Sequence, residues 1–171
     1  LLGNVEFVRG NPFNRDDLIR AGINRASVVI IVPFDESDAV SSDAKTALLV
    51  MSIRKLNKDS YITAEVLDED NREYVLNAGA NPVISLGSFT TTVVTEEIFN
   101  HGLSSTLINL IQRVNIIDSK DFIGLRFRDV LERLRASGKG VLIGLIRAGN
   151  ILVNPGNDLV IQPGDSLLVI N

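Results

Sequence analysis

The sequence predicts an α/β fold in which a partial parallel-sheet lobe is followed by a small α+β lobe. Three observations carry that reading. Up to about residue 113, short apolar runs alternate with stretches of helical periodicity, the grammar of strands joined by crossover helices. One run, Ser27 to Val32, is apolar at every position after the first, which predicts a strand covered on both faces. After Val114, strand-like segments follow one another closely, separated by turns that carry Pro and Gly, which describes a small α+β lobe.

Taken in order, Val5-Glu6-Phe7-Val8 reads as a strand and Arg15 to Ala21 as a short helix. The strand ending at Val32 leads to a helix over Ser41 to Leu56, where Ala44, Ala47, Leu48, Met51 and Leu56 fall at helical spacing. Tyr61 to Val66 is the next strand. Asn71 to Asn77 is a helix that stops at Gly79, a residue suited to a left-handed cap. Pro82 to Ser85 is a strand, and Thr90 to Gln112 forms either one long helix or two that part at His101-Gly102. A glycine inside a helix costs about 1 kcal/mol relative to alanine, which favours the break. Arg126 to Ala136 then forms a helix with Phe127, Val130, Leu131 and Leu134 on one face. Strands are expected at Val141 to Ile146, Ile151 to Val153, Leu159 to Ile161 and Leu167 to Ile170. These patterns divide the chain into residues 1–113 and 114–171, with the passage between lobes near 113–121.

Composition narrows the function classes. A chain of 171 residues with 45% apolar and 22% charged side chains has enough apolar surface to fold, and no run approaches a membrane-spanning length. The absence of cysteine removes disulfide frameworks, thiolate zinc sites and cysteine nucleophiles. With 17 basic against 21 acidic residues and a net charge of −4, the chain lacks the cationic excess that binds nucleic acid. The single histidine, His101, supports neither a histidine-rich metal site nor a nucleophile triad.

A Rossmann-like lobe holds its dinucleotide at a G-x-G-x-x-G turn with an acidic residue after the second strand. Neither feature occurs here. The sequence opens almost directly in a strand, so it reads as a fragment lacking the first strand-helix-strand-helix of the lobe. Part of a longer polypeptide, or another chain, is expected to complete the sheet.

These residues resemble the RCK domain, the regulator of potassium conductance. The likeness runs through Val5 to Pro12, Asp17-Leu18, Ala21-Gly22-Ile23, Val28 to Val32, Asp38 and Asp43, Leu49 to Lys55, Tyr61 to Val66 and Ala78 to Ser85. The second lobe adds Gly144 to Gly149, Asn154-Pro155 and Pro163 to Ile170. Asn100 to Leu110 and the loop from Phe34 to Ser42 look closer to large-conductance calcium-activated channels and plant nuclear ion channels than to simple bacterial transporter subunits. One departure is Asn11, which stands where many RCK domains carry aspartate and ranks a nucleotide (NAD or an adenine nucleotide) behind Ca2+ as cofactor.

Asp35, Glu36, Asp38 and Asp43 follow the strand ending at Val32, and Glu65 closes the neighbouring strand ahead of Asp68, Glu69 and Asp70. Open α/β sheets bind ligands at this carboxyl edge, and a hard cation such as calcium takes six to eight oxygens. Asp35, Glu36, Asp38 and Glu65 are therefore the candidate metal ligands. The same loops also fit ordinary solvated surface, with Asp43 favoured near a helix N-terminus. The resemblance sets Glu65 where a calcium-gated bacterial potassium channel has a ligand, whereas the next position of that pattern is Leu67, which cannot coordinate.

Val94, Ile98, Leu103, Leu107 and Leu110 form an apolar stripe that is either core or subunit contact. The resemblance implies contact, since RCK domains pair through crossover helices. His101 fits either a pH-sensitive or a structural role, and Arg147 with Asp165 fits either a ligand site or an ion pair. In all, the resemblance implies a non-enzymatic, ligand-sensing regulatory domain on the cytoplasmic side of a potassium channel or transporter. Its partners would be further copies of itself, as a dimer or octameric ring, and a membrane pore or transporter subunit. The rivals are the trailing half of an NAD-dependent oxidoreductase and a ligand-free dimerisation module.

Overall fold

The computed structural model describes residues 5–171, which divide into two compact units between Glu96 and Glu97. The first unit is built on a parallel sheet in the order β1 (Val28–Ile31), β2 (Tyr61–Glu65) and β3 (Val83–Ile84). Helices α1 (Arg15–Arg20), α2 (Ala39–Leu56) and α3 (Arg72–Asn77) connect or flank these strands, and α4 (Leu86–Phe99) follows β3. Asn14 caps α1 by accepting from the amides of Asp16 and Asp17, and Asp38 caps α2 by accepting from Ser41 N at 3.1 Å. Leu49, Val50 and Ile53 of α2 pack with Ile31, Ile62 and Ala64 of the sheet and with Val75 of α3 in one core.

Gly79 takes the left-handed conformation expected after α3, with φ +110°. A Cβ there would lie 2.9 Å from Arg54 Cγ, so the glycine also admits the Arg54 side chain. That guanidinium donates to the carbonyls of Gly79, Lys58 and Ser60 and to Asn81 Oδ1. Asn81 Oδ1 accepts in turn from Ile62 N, which ties the end of α2 to the start of β2.

Two expectations for this unit are corrected. Residues Val5 to Val8 form no strand and lie exposed. β1 pairs with β2 alone, so no neighbouring strand offers these residues a ladder. The run Val28 to Val32 is also not covered on both faces. Ile31 is buried, but Ile30 is 72% exposed, and Val28 and Val32 are exposed with it. Its apolarity reflects one packed face and one bare face.

The second unit takes in the last turn of α4, then α5 (Leu103–Arg113), β4 (Val114–Asp118), α6 (Phe127–Ala136), β5 (Val141–Arg147), β6 (Asn150–Val153) and β7 (Ser166–Ile170). The helices part at Gly102, with φ +90°, which settles the one-or-two-helix alternative in favour of two. The antiparallel sheet runs β4-β7-β5-β6. Phe127, Val130 and Leu134 of α6 bury against Leu142, Leu145, Leu167 and Val169. Val114–Asp118, which the sequence suggests as a passage between lobes, is a full strand paired with β7. Leu159 to Ile161 forms no strand beyond a bridge between Val160 and Arg126, because its amides and carbonyls bond the loop before α6 instead: Ile161 N to Leu125 O, and Phe127 N to Leu159 O. Among the described residues no helix is long and apolar enough to cross a membrane.

Candidate functional site

The candidate ligand edge lies where β1 and β2 end side by side, with Ile31 opposite Ala64 in the register. Two loops leave this edge, and consecutive residues of α2 hold them. Ser42 Oγ accepts from Phe34 N at 2.9 Å and from Asp35 N at 3.4 Å. The Asp43 carboxylate accepts from Leu67 N at 2.9 Å, Asp68 N at 3.1 Å and Asn71 Nδ2 at 2.9 Å. Ser42 and Asp43 are both fully buried, so these bonds replace water that neither residue can reach. One turn on, the buried Thr46 Oγ1 has no hydrogen-bond partner.

The four predicted metal ligands are drawn to this edge but do not converge. Asp35 Oδ1 accepts from Ser37 Oγ at 2.6 Å and Ser37 N at 2.9 Å, and these bonds, the hydroxyl first, hold its carboxyl below the usual aspartate range. Asp38 is engaged as the α2 cap. The side chains of Glu36 and Glu65 carry no hydrogen bond or ion pair among the described residues. No group of three or more acidic or histidine side chains among the described residues is placed to hold a metal ion. As arranged, therefore, Asp35, Glu36, Asp38 and Glu65 do not fit a calcium cage. Asp43, whose part the sequence left at a helix terminus, proves to be an anchor for the second loop. No local signal could have found this, because its partners lie 24 to 28 positions away.

The crossover helices present their apolar residues outward. Ile98 is 65% exposed, Val94 is exposed with it, and Leu103, Leu107 and Leu110 are half-buried. Phe99, Ile108 and Ile111 are also exposed and extend the stripe beyond the residues singled out in the sequence. Glu97 fixes the turn between the helices: Oε1 accepts from Gly102 N and Oε2 from Ser104 N, each at 2.7 Å. These backbone bonds, Ser104 first, lower its pKa. His101 Nδ1 lies 3.1 Å from Glu97 O, a helix-terminal contact in keeping with the structural reading of that residue.

Arg147 and Asp165 form a bidentate ion pair, Nε to Oδ1 at 2.8 Å and Nη2 to Oδ2 at 2.7 Å. Arg147 also donates to Val160 O, and Asp165 accepts from Gln162 N. The guanidinium is the main cause that lowers the Asp165 pKa. Arg147 Nε and Nη2 and both Asp165 oxygens are engaged within the fold, so the pair acts as a pin between β5 and the turn before β7.

The description "Calcium-activated potassium channel slowpoke-like RCK domain" matches residues 2–64. The chain is 32% identical over 178 aligned residues to the calcium-gated potassium channel TvoK of Thermoplasma volcanium, an alignment covering 98% of this chain and 50% of TvoK. It is 29% identical to the probable ion channel POLLUX of Oryza sativa subsp. japonica, over 94% of this chain and 17% of that protein. The chain thus spans half or less of the relatives it matches. In fold it resembles the human SLO3 gating ring, with a TM-score of 0.78 over 96% of this chain and 36% of that one, at 17% identity.

Proposed function

We propose that the chain is an RCK domain, a member of the regulator of potassium conductance family, and on that premise the ligand-sensing gating domain of a potassium channel or transporter. The observation that carries this reading is the alignment to TvoK, which spans nearly the whole chain. Such a domain sits on the cytoplasmic side of a membrane and acts on a pore by differing in ligand affinity between two assembled states. The bare stripe on α4 and α5 is the contact through which copies of the chain pair, as a dimer or within a larger ring. In this reading the chain carries two lobes, residues 1–113, crossover helices included, and residues 114–171.

Calcium is the proposed ligand, with TvoK as its support. The geometry sets a condition on it. Asp35 and Asp38 each have one oxygen engaged, by Ser37 and by Ser41 N, so an ion gathered with Glu36 and Glu65 has to displace those bonds or take the second oxygens. The test is potassium flux from vesicles that hold the complete polypeptide carrying this chain, measured with and without calcium. The proposal expects flux to respond to calcium and expects that response to disappear with Ile98→Glu. Flux indifferent to calcium in the intact protein overturns the calcium assignment, and flux indifferent to loss of the chain overturns the gating role.

A further inference from the structure

A cleft opens where the start of α1 meets the last two turns of α2, lined by Phe13, Arg15 and Leu18 from one side and Ser52, Lys55 and Leu56 from the other. Its volume is about 460 Å3, within the roughly 300–1,000 Å3 usual for small-molecule sites. The floor belongs to the folded core: Leu18 is buried, and Leu56 packs against the same cluster. Phe13 is fixed at the wall by two contacts. Its amide donates to Asn11 Oδ1 at 3.0 Å, and its ring stacks on Phe34 with centroids 5.3 Å apart. The cleft is therefore apolar at its base and formed before any ligand arrives.

Both ionisable groups on the lining are cations. Neither the Arg15 guanidinium nor the Lys55 ammonium has a hydrogen bond or ion pair among the described residues. Arg20, one turn along α1, is by contrast paired to Asp17 at 2.9 Å, and Arg54, next to Lys55, spends its guanidinium on three carbonyls and Asn81. Asp16 and Asp17 follow Arg15 in sequence but do not line the cleft, and Asp17 is already engaged by Asn11 N and Arg20. In a chain of net charge −4, an apolar hollow bordered by two unpaired cations and no carboxylate is a local inversion of charge.

We infer that this cleft binds a small organic anion, whose apolar body covers Phe13, Leu18 and Leu56 and whose carboxylate meets Arg15 and Lys55. Each part of the lining selects one part of the ligand. Inorganic phosphate would leave the apolar floor in water, and an uncharged body would leave both cations unpaired. A second copy presenting the same cleft would set cation against cation, and a nucleic acid draws its affinity from a longer run of cations than two. A guanidinium can take a carboxylate with two parallel bonds and an ammonium acts on it as a point charge, so the pair suits a carboxylate. None of the carboxylates of the candidate ligand edge lines this cleft, and the inference does not rest on the gating reading or on calcium.

The chain has no tryptophan, so the fluorescence of naphthoate can be followed with little protein background. Its anisotropy is titrated with the full chain, beside that of naphthylmethanol, the uncharged counterpart. The expected result is that naphthoate binds more tightly than naphthylmethanol and that added salt weakens it. Arg15→Gln and Lys55→Gln should each raise its Kd roughly threefold, the modest effect of an exposed charge contact, and together roughly tenfold. Lys58→Gln removes an exposed cation off the lining and should leave Kd unchanged. Ser52→Phe places a ring in the cleft and should abolish saturable binding; should that variant fail to fold, the double variant, altered only at exposed side chains, decides alone. Anisotropy that does not rise with the wild-type chain overturns the site. Equal Kd in wild type and the double variant overturns it as well, because the probe then lies elsewhere, and naphthylmethanol binding as tightly as naphthoate overturns the assignment to an anion.

Discussion

Ser42 and Asp43 are neighbours on α2, yet each holds a different loop of the ligand edge: Ser42 Oγ bonds the amides of Phe34 and Asp35, and the Asp43 carboxylate bonds those of Leu67 and Asp68. Adjacent residues on a helix point about 100° apart, so one turn of α2 can face the loop after β1 and the loop after β2 together. A shift of either loop is thereby felt by the same helical turn. That is a physical link by which a displacement at the edge reaches the body of the first unit.

Asp43→Ala should leave the Leu67 and Asp68 amides without their acceptor in a buried place. The expected loss is about 1–3 kcal/mol of stability, read by denaturant unfolding. Hydrogen exchange should speed at Leu67 and Asp68 and stay unchanged at Phe34 and Asp35, with the reverse for Ser42→Ala. Equal loss of protection at both loops in either variant shows that the two anchors do not act separately.

Arg147→Ala removes the guanidinium from Asp165, whose side chain is 1% exposed. Breaking a buried pair by deleting one partner costs about 3–5 kcal/mol, and Arg147→Lys should recover only part of it because lysine cannot supply the two-pronged contact. The Asp165 pKa is lowered in the fold, so the pair's contribution is complete above the ordinary aspartate range and is lost as pH falls through the lowered value. Wild type and Arg147→Ala should therefore converge in stability on acidification, and a gap that persists below that range counts against the pair as its source.

Local chemistry was readable where the partners are close in sequence. The α6 stripe, the break at Gly102 and the left-handed Gly79 each follow from residues within a turn or two, and the structure places all three as expected. What could not be read depends on distant chain. Val28 to Val32 has the same apolar letters whether one or both faces are covered, and Val114–Asp118 becomes a strand only because β7, some fifty residues later, lies beside it. The candidate site divides in the same way. The sequence finds the carboxylates at the sheet edge but not their engagements, since the bonds of Asp43 depend on how the loop after β2 folds back.

Ile98→Glu should yield a folded chain with an unfolding midpoint close to wild type, because Ile98 is largely exposed and surface substitutions usually change stability by no more than about 0.5 kcal/mol. Its mass by light scattering should fall to that of one chain, and Leu107→Glu should act in the same direction. A folded variant that stays assembled removes α4 from the contact.

Glu97→Gln should loosen the turn between α4 and α5. A neutral amide has one acceptor oxygen where the carboxylate uses two, so exchange should speed at one or both of the Gly102 and Ser104 amides. The lowered Glu97 pKa means that the strap is complete at neutral pH and is lost as pH falls below the ordinary glutamate range. In wild type, protection of these two amides should fall across that acidic window, while in Glu97→Gln it should not vary with pH there.

The calcium assignment gives the sharpest contrast between competing uses of one group. Asp35 already satisfies its Oδ1 with two bonds from Ser37, and a cation must displace them or make do with the other oxygen. Ser37→Ala deletes the hydroxyl donor and one competing bond, so it should raise calcium affinity if Asp35 is a ligand and leave it unchanged if Asp35 is only a turn residue. Glu65→Gln acts on a carboxylate without an internal partner, and it should abolish most of any calcium-induced rise in the unfolding midpoint. That rise is expected at millimolar calcium because an ion bound by the folded chain stabilises it by mass action, and magnesium should produce less, since it yields its water reluctantly and demands tighter geometry. A midpoint indifferent to calcium in wild type and in Ser37→Ala alike would show that the two loops are held by Ser42 and Asp43 for packing alone.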